Sequence, residues 1–369
     1  EIKTKLQDLK AEQGGNGAHQ LLWFGEDHSF THIQQDFMKC YGSPNYMNHS
    51  NLCDTSRKRN YSVPLGTERP LADFAHAKYA LLWGWNPLSA IKWAHLPHII
   101  RQFFDNGGRM VCVDPVFSHT AATACRNGGE WVPLKPGTDG AMALAMAYVI
   151  INESRYDAPF VSSYVLGFNE FKDYVLGVSD GTPKTPAWAE GKTGVPASTT
   201  ERLARELADP ANHPAVIDIW SGPGQHSNAT QGGRAVTALL ALTGQIGGKG
   251  QMVFPNKKGS KHRTITNPTD TGAGKSLSRP RADGYGLSKA SGGYPSAHSS
   301  GIYVRARDVM LDSDLSAASW WAKYPYLGAT EAEAGTNRPK AVMFMFQNWV
   351  MAVPNTQKNI DAINKMELV

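Results

Sequence analysis

Short blocks of consecutive apolar residues alternate with amphipathic stretches along most of the chain. The blocks are Leu21-Leu22-Trp23-Phe24, Tyr79-Ala80-Leu81-Leu82-Trp83, Arg109-Met110-Val111-Cys112-Val113-Asp114, Trp131-Val132-Pro133-Leu134, Ala215-Val216-Ile217-Asp218-Ile219-Trp220 and residues 340–346. Each is too short for a helix and lacks polar alternation, the pattern of strands covered on both faces. Between them lie helical patterns at residues 1–12, where Ile2, Leu6 and Leu9 share a face, and at about 28–40, 89–106, 140–153, 201–208, 226–242 and from 357 onward. Turn residues separate the two kinds of segment. Gly25 closes the first block, Gly84-Trp85-Asn86-Pro87 the second, and Gly107-Gly108 stops a helix. Thr138 and Asp139 stand where an N-cap is needed. Repeated strand–turn–helix units predict an α/β fold of open parallel sheets with right-handed βαβ connections.

Three stretches break the alternation. Residues 156–176 are aromatic and poorly periodic, and residues 177–200, with their Gly, Pro and Thr, read as a surface loop. Residues 255–316 are polar, basic and rich in Gly, Ser and Pro, too long for a plain connection, which suggests a functional loop or one that packs on a missing partner. Within it, Gly272-Ala273-Gly274-Lys275-Ser276 fails as a phosphate-binding loop, because Thr269 stands at the first required glycine and no strand precedes it. The run Arg57-Lys58-Arg59 reads as a solvated face.

A length of 369 residues predicts two domains. With 41% hydrophobic and 19% charged residues the composition is that of a globular chain. The net charge of +5 is too mild and too dispersed to point to nucleic acid. No apolar run reaches the ~18 residues that cross a bilayer, so direct membrane insertion is not expected. No signal peptide opens the chain and Glu1 is not an initiator, so the expectation is a fragment or a chain with its start removed. The four cysteines, Cys40, Cys53, Cys112 and Cys125, form no CxxC pair, which argues against a zinc knuckle or a self-contained iron–sulfur site. Cys40, Cys112 and Cys125 read as buried small hydrophobes. His28 and His32, four apart but without an HExxH motif, read as surface histidines.

Open parallel sheets bind ligands beyond the carboxyl ends of their strands. Four such ends carry chemistry. Gly84 allows close backbone approach and Asn86 adds an amide. Asp114 can accept from ribose hydroxyls or a purine edge. Gly222-Pro223-Gly224-Gln225 offers backbone N–H groups ahead of a helix, and Gln347-Asn348 repeats the first pattern elsewhere. The absence of GxGxxG disfavours a plain NAD site.

Taken together, Trp83-Gly84-Trp85-Asn86-Pro87, Val113-Asp114-Pro115, Lys135-Pro136-Gly137-Thr138-Asp139-Gly140-Ala141 and Trp220-Ser221-Gly222-Pro223-Gly224 resemble, in order, the molybdopterin oxidoreductases of the dimethyl sulfoxide reductase superfamily. The resemblance implies two Rossmann-like open-sheet α/β domains, one inserted in the other. Residues 79–215 would be the insert, binding one guanosine dinucleotide. Residues 1–78 and 216–369 would form the discontinuous host, with the metal-ligand loop and the other cofactor site. It also implies molybdenum or tungsten held by two molybdopterin guanine dinucleotides. The loop that begins Gly42-Ser43-Pro44-Asn45 resembles the segment that carries the protein ligand, which places Cys53 as the metal ligand. His49 and Asp54, near and beside it, are candidates for substrate contact or proton delivery, or for plain loop hydrogen bonding. Asn86, Asp114, Thr138 and Asp139 match positions for one guanosine, Gly222, Gly224, Gln225 and His226 a loop near a pterin, and Asn348 the start of the other guanosine site.

The family's amino-terminal iron–sulfur domain and carboxyl-terminal barrel are not matched by any stretch of this sequence, so an iron–sulfur cluster is expected only outside it. The implied function is two-electron oxygen- or sulfur-atom transfer on a small oxyanion or sulfur compound, as in the thiosulfate, polysulfide, tetrathionate and arsenate reductase branch. An iron–sulfur electron-transfer subunit is the implied partner and the periplasm the implied location. A non-redox hydratase of the same superfamily and a cofactor-free binding module are the alternatives.

Overall fold

The computed structural model describes residues 1–15, 17–25, 31–43, 45–48, 55–67, 70–90, 94–254, 306–307, 310–311 and 339–369. Its strands are β1 (Leu21–Gly25), β2 (Tyr46–Asn48), β3 (Leu71–Ala72), β4 (Tyr79–Trp83), β5 (Arg109–Val113), β6 (Glu130–Val132), β7 (Ala215–Ile219), β8 (Met252–Val253) and β9 (Ala341–Phe344). The helices are α1 (Ile2–Gly15), α2 (Thr31–Tyr41), α3 (Thr55–Leu65), α4 (Leu96–Asp105), α5 (His119–Arg126), α6 (Asp139–Asn152), α7 (Ala158–Tyr164), α8 (Phe168–Val175), α9 (Pro186–Thr193), α10 (Ala197–Leu207), α11 (Ala229–Thr243), α12 (Trp349–Ala352) and α13 (Thr356–Ile363). The chain divides into two compact units, Glu1–Cys53 with Gly259–Val369, and Asp54–Lys258.

The contiguous unit is built on a four-stranded parallel sheet in the order β6-β5-β4-β7. From β4 the chain steps outward through β5 to β6, then returns by way of α6 to α10 and lays β7 on the other side of β4. Strand order reverses between β4 and β7, and such a reversal opens a crevice beyond the strand ends. Every residue of β4 and β7 is buried, which accounts for their unbroken apolar runs. Trp83, Tyr79 and Phe103 anchor the core with essentially no exposure. Helices α6 and α11 cross where a Cβ added to Gly140 would stand 2.9 Å from the Gly232 Cα, so small residues set that contact. At the amino edge of the sheet, Arg202 holds both Glu130 oxygens at 2.7 Å and Glu206 at 2.8 Å, and Arg109 reaches Glu206 at 2.5 Å. This half-buried network ties α10 to the starts of β5 and β6.

The discontinuous unit holds a parallel sheet in the order β2-β1-β9. Phe24 stacks on Phe344 at 5.1 Å and lies 5.0 Å from the Trp349 ring. Ser43 and Asn45, just ahead of β2, are buried and hydrogen bonded. Ser43 Oγ donates to the Leu21 carbonyl at 2.6 Å, and Asn45 Nδ2 donates to the His19 carbonyl.

Several expectations need correction. The boundary at 215/216 splits β7, which pairs with β4 along its whole length, and the boundary at 78/79 falls inside the unit Asp54–Lys258. The expected loop at 177–200 contains α9 and the start of α10, and the stretch 156–176 forms α7 and α8. Thr185 caps α9, accepting from the Trp188 N–H, and Asp157 caps α7, accepting from the Phe160 N–H. Arg57 and Lys58 are buried rather than solvated, and only Arg59 of that run is exposed. Among the three cysteines read as core residues, Cys112 is buried, Cys40 half-buried and Cys125 exposed. Residues 255–305 lie outside the described residues.

Candidate cofactor cradle

The carboxyl edge of the contiguous unit's sheet gathers four of the predicted motifs. Gly84 and Asn86 follow β4, Asp114 follows β5, Thr138 and Asp139 follow β6 at the start of α6, and Gly222, Gly224, Gln225 and His226 follow β7. Because the four strands run parallel, all these ends share one edge. The residues expected to divide between two domains therefore belong to one.

The crevice between β4 and β7 is closed by backbone meeting backbone. Gly84 has φ of +59°, and a Cβ there would stand 2.3 Å from Pro223 Cδ. A Cβ on Gly222 would stand 3.0 Å from the Gly84 carbonyl oxygen. The loop after β7 is held by successive turns, in which Gly224 N–H donates to the Ser221 carbonyl and Gln225 N–H to the Gly222 carbonyl. Gly222, Gln225 and His226 are exposed, whereas Gly224 is buried. Behind the loop Trp85 stacks on Trp220 at 5.3 Å with an interplanar angle of 15°.

The turn after β6 comes next to this loop. Gly137 has φ of +80°, and a Cβ on it would lie 3.3 Å from the His226 ring. Thr138 Oγ1 donates to the Lys135 carbonyl at 2.6 Å and makes no capping bond to α6, so it closes the turn rather than the helix. Asp139, in the first turn of α6, is buried, and its Oδ1 accepts from Trp83 Nε1 at 2.9 Å. Burial raises its pKa above the ordinary carboxylate value. Asn86 Oδ1 accepts from both the N–H and the hydroxyl of Thr120, so it orients α5. Asp114 is half-buried at its strand end, with Oδ1 accepting from the Val116 N–H and its pKa raised by burial.

Two features of this edge escaped sequence reasoning. Trp83 read as a core residue, yet its indole fixes Asp139 from the end of β4. Trp83→Phe keeps an aromatic ring and removes that donor, and should destabilise the protein by about 3 kcal/mol in urea unfolding. A shift of a few tenths would mean that the bond is dispensable. The second feature is Asp218, buried in the apolar block of β7. It accepts from Tyr61 Oη at 2.9 Å and faces the Arg57 guanidinium at 3.8 Å. Its place in an otherwise apolar strand was the signal that a buried partner must exist.

Burial lifts the Asp218 pKa to about 6, against the opposing effects of Arg57 and Tyr61. The folded state therefore holds this proton more tightly than the unfolded chain. The contribution is fully present below the unfolded value near 4 and is lost as pH rises through about 6, in the direction raised carboxylates take. The stability difference between wild type and Asp218→Asn should change by about 3 kcal/mol across that window and stay flat above it, as read by denaturant titration. A pH-independent difference would contradict the assignment.

In the discontinuous unit, β1, β2 and β9 also present their carboxyl ends on one edge. Gln347 Nε2 donates to the Gly25 carbonyl at 2.7 Å and joins two of those ends. Asn348 is exposed there, and its carbonyl accepts from the Met351 and Ala352 N–H groups of α12. The chain leaves β2 at Asn48 toward His49, Cys53 and Asp54, which lie outside the described residues. Among the described residues no three His, Cys, Asp or Glu side chains come together as a metal site.

The cradle of the contiguous unit is chemically suited to a nucleoside and a flat polar heterocycle. Glycines at 84, 137 and 222 let the strand-end loops pack against one another where a Cβ would intrude, and the Asp114 carboxylate offers an acceptor at the strand end.

Comparison with known proteins agrees with this architecture. A probable dimethyl sulfoxide reductase chain of Escherichia coli (strain K12) is 36% identical over 271 residues, which cover 67% of this chain and 32% of the relative. The molybdopterin-containing subunit of the arsenate respiratory reductase of Chrysiogenes arsenatis is 34% identical over 270 residues, 67% of this chain and 30% of the relative. The chain thus spans about a third of the length of these relatives. In fold, acetylene hydratase from Pelobacter acetylenicus superposes with a TM-score of 0.67 at 20% identity, covering 100% of this chain and 48% of the hydratase chain. The description "Molybdopterin oxidoreductase" matches residues 1–369, and with the strand-end cradle and the dimethyl sulfoxide and arsenate reductase relatives it follows that the chain belongs to the molybdopterin oxidoreductase family.

Proposed function

We propose that this chain is the central part of a molybdenum or tungsten enzyme that carries two molybdopterin guanine dinucleotides and transfers an oxygen or sulfur atom to or from a small oxyanion or sulfur compound. The observation that carries the reading is the shared carboxyl edge of β4, β5, β6 and β7. It brings Gly84, Asp114, Thr138 and the loop at 222–226 into one cradle. When bound, such a metal–dithiolene centre supplies two-electron atom-transfer chemistry, and the protein binds, orients and shields it.

Within this reading each residue takes a role. Asp114 accepts from ribose or purine donors, and Thr138, in the turn after β6, lies beside it along the sheet edge. Gly84 and Gly222 let the two strand-end loops close on each other and so set the floor on which a planar ring system would lie, and the exposed Gln225 and His226 supply polar contacts along it. Asn86 and Asp139 act behind this surface, holding α5 and α6 in place. In the discontinuous unit Asn348 marks the second dinucleotide site. Cys53 is the protein ligand, since a soft thiolate suits this metal, and His49 and Asp54 contact substrate or move its proton.

Electrons would come from an iron–sulfur subunit of the intact complex, and the periplasm is the proposed location. Among the described residues no helix is long and apolar enough to cross a membrane. The hydratase alternative uses the same cofactor without net redox change. Turnover of thiosulfate, polysulfide, tetrathionate or arsenate by the isolated holoenzyme, dependent on a reduced dye, supports the reductase reading. Turnover of any substrate with neither electron donor nor acceptor would overturn it.

A further inference from the structure

The edge of β7 is closed by α3 at the root of the loop that faces the cradle. Among the described residues β7 pairs with β4 alone. An edge strand turns every second N–H and C=O away from its neighbour. At Ile219 both groups are taken by α3. Tyr61 Oη accepts from the Ile219 N–H at 2.9 Å, and Arg57 Nε donates to the Ile219 carbonyl at 2.8 Å. Arg57 and Tyr61 are four residues apart and so share a helix face.

The same guanidinium lies 4.1 Å over the Trp220 ring, and Trp220 in turn stacks on Trp85 of the loop after β4. Arg57 and Asp218 side chains are each 5% exposed. A buried ion pair is a costly way to close a strand edge, and apolar side chains would serve stability as well. Here it is placed at the root of the loop at 221–226, with Asp218 three residues before that loop and Trp220 immediately before it. The planar fork of arginine meets a carbonyl, a carboxylate and an aromatic face at once, which lysine cannot do.

We propose that Arg57 is a positioning residue, which fixes the root of the loop at 221–226 and so the geometry in which that loop meets its cofactor. The inference rests on the cofactor reading above and names a residue that acts through the loop without touching the bound group.

The test uses the full-length holoenzyme and its Arg57→Met and Arg57→Lys variants. Amide hydrogen exchange is followed over residues 219–226 and over β4 and β5, together with the rate at which guanine nucleotide is lost on dilution. Both variants should exchange about tenfold faster at 219–226, the effect of losing one charge-assisted hydrogen bond, with β4 and β5 unchanged. Nucleotide loss should quicken in parallel. Lysine should not rescue, because the role needs the fork rather than the charge. Unchanged exchange at 219–226, an equal rise across the whole sheet, or full rescue by lysine would overturn the proposal. Wild-type protein without metal or nucleotide would defeat the cofactor reading separately, while the exchange comparison would still decide whether Arg57 holds the loop.

Discussion

Replacing Cys53 by alanine in the holoenzyme should lower turnover at least about a thousandfold, a loss of ~4 kcal/mol of transition-state stabilisation. The reason is chemical. A thiolate is the only soft, anionic donor this stretch of chain offers, and as the proposed ligand it would contribute its charge to the metal. The dithiolenes would retain the metal, so metal content should stay close to wild type while X-ray absorption shows one sulfur fewer. Cys53→Ser should leave a weaker oxygen ligand and a partial activity. An unchanged sulfur shell in the alanine variant would remove Cys53 from the metal and return it to the role of an ordinary loop thiol.

The second large effect is expected at the crevice between β4 and β7. Gly84→Val combines two penalties. The φ of +59° is one that a β-branched residue adopts only under strain, and the new Cβ would fall 2.3 Å from Pro223 Cδ. Left-handed backbone strain costs about 1–3 kcal/mol and overpacking of a tight contact about as much again. A total of about 4 kcal/mol is a large part of the ~5–15 kcal/mol that holds a typical protein together. The variant should therefore show a much lower urea midpoint. Any fraction that folds should bind less guanine nucleotide, because Pro223 and Gly222 must move to admit the side chain. A control at Gly128, which also has positive φ but no atom within 4 Å of its Cβ position, should show the strain alone and leave nucleotide content untouched. Equal effects at the two sites would mean that the close approach of the loops contributes nothing.

The parts of the fold that were legible in the sequence are those with dense local signals. The strands β4, β5 and β7 are buried on both faces, so their apolar runs stand out, and the glycines after them mark where the chain must turn. The gathering of the four motifs at one sheet edge could be anticipated because they follow parallel strands. What was hidden depended on residues far apart. Arg57 and Lys58 look solvated beside Arg59, since the carboxylate that faces Arg57 lies 161 positions later. The domain boundary was misplaced because β7 is separated from β4 by a long helical excursion, and an apolar strand does not announce its neighbour. Helices α7 and α9 begin after Asp and Thr caps, α10 after Pro196 and α8 after Gly167, in a stretch whose Gly and Pro content resembles loop. Their identity comes from packing, α8 to α10 against α6 and α7 against α11, which no local pattern encodes.

The shared strand edge is proposed as a cradle for a metal-bearing dinucleotide. The most direct measurement is elemental analysis of the full-length protein alongside chromatography of the guanine nucleotide released by acid. The expectation is about one molybdenum or tungsten and about two guanine nucleotides per chain. Protein that is folded, carries neither metal nor nucleotide, and takes up neither on reconstitution would contradict it.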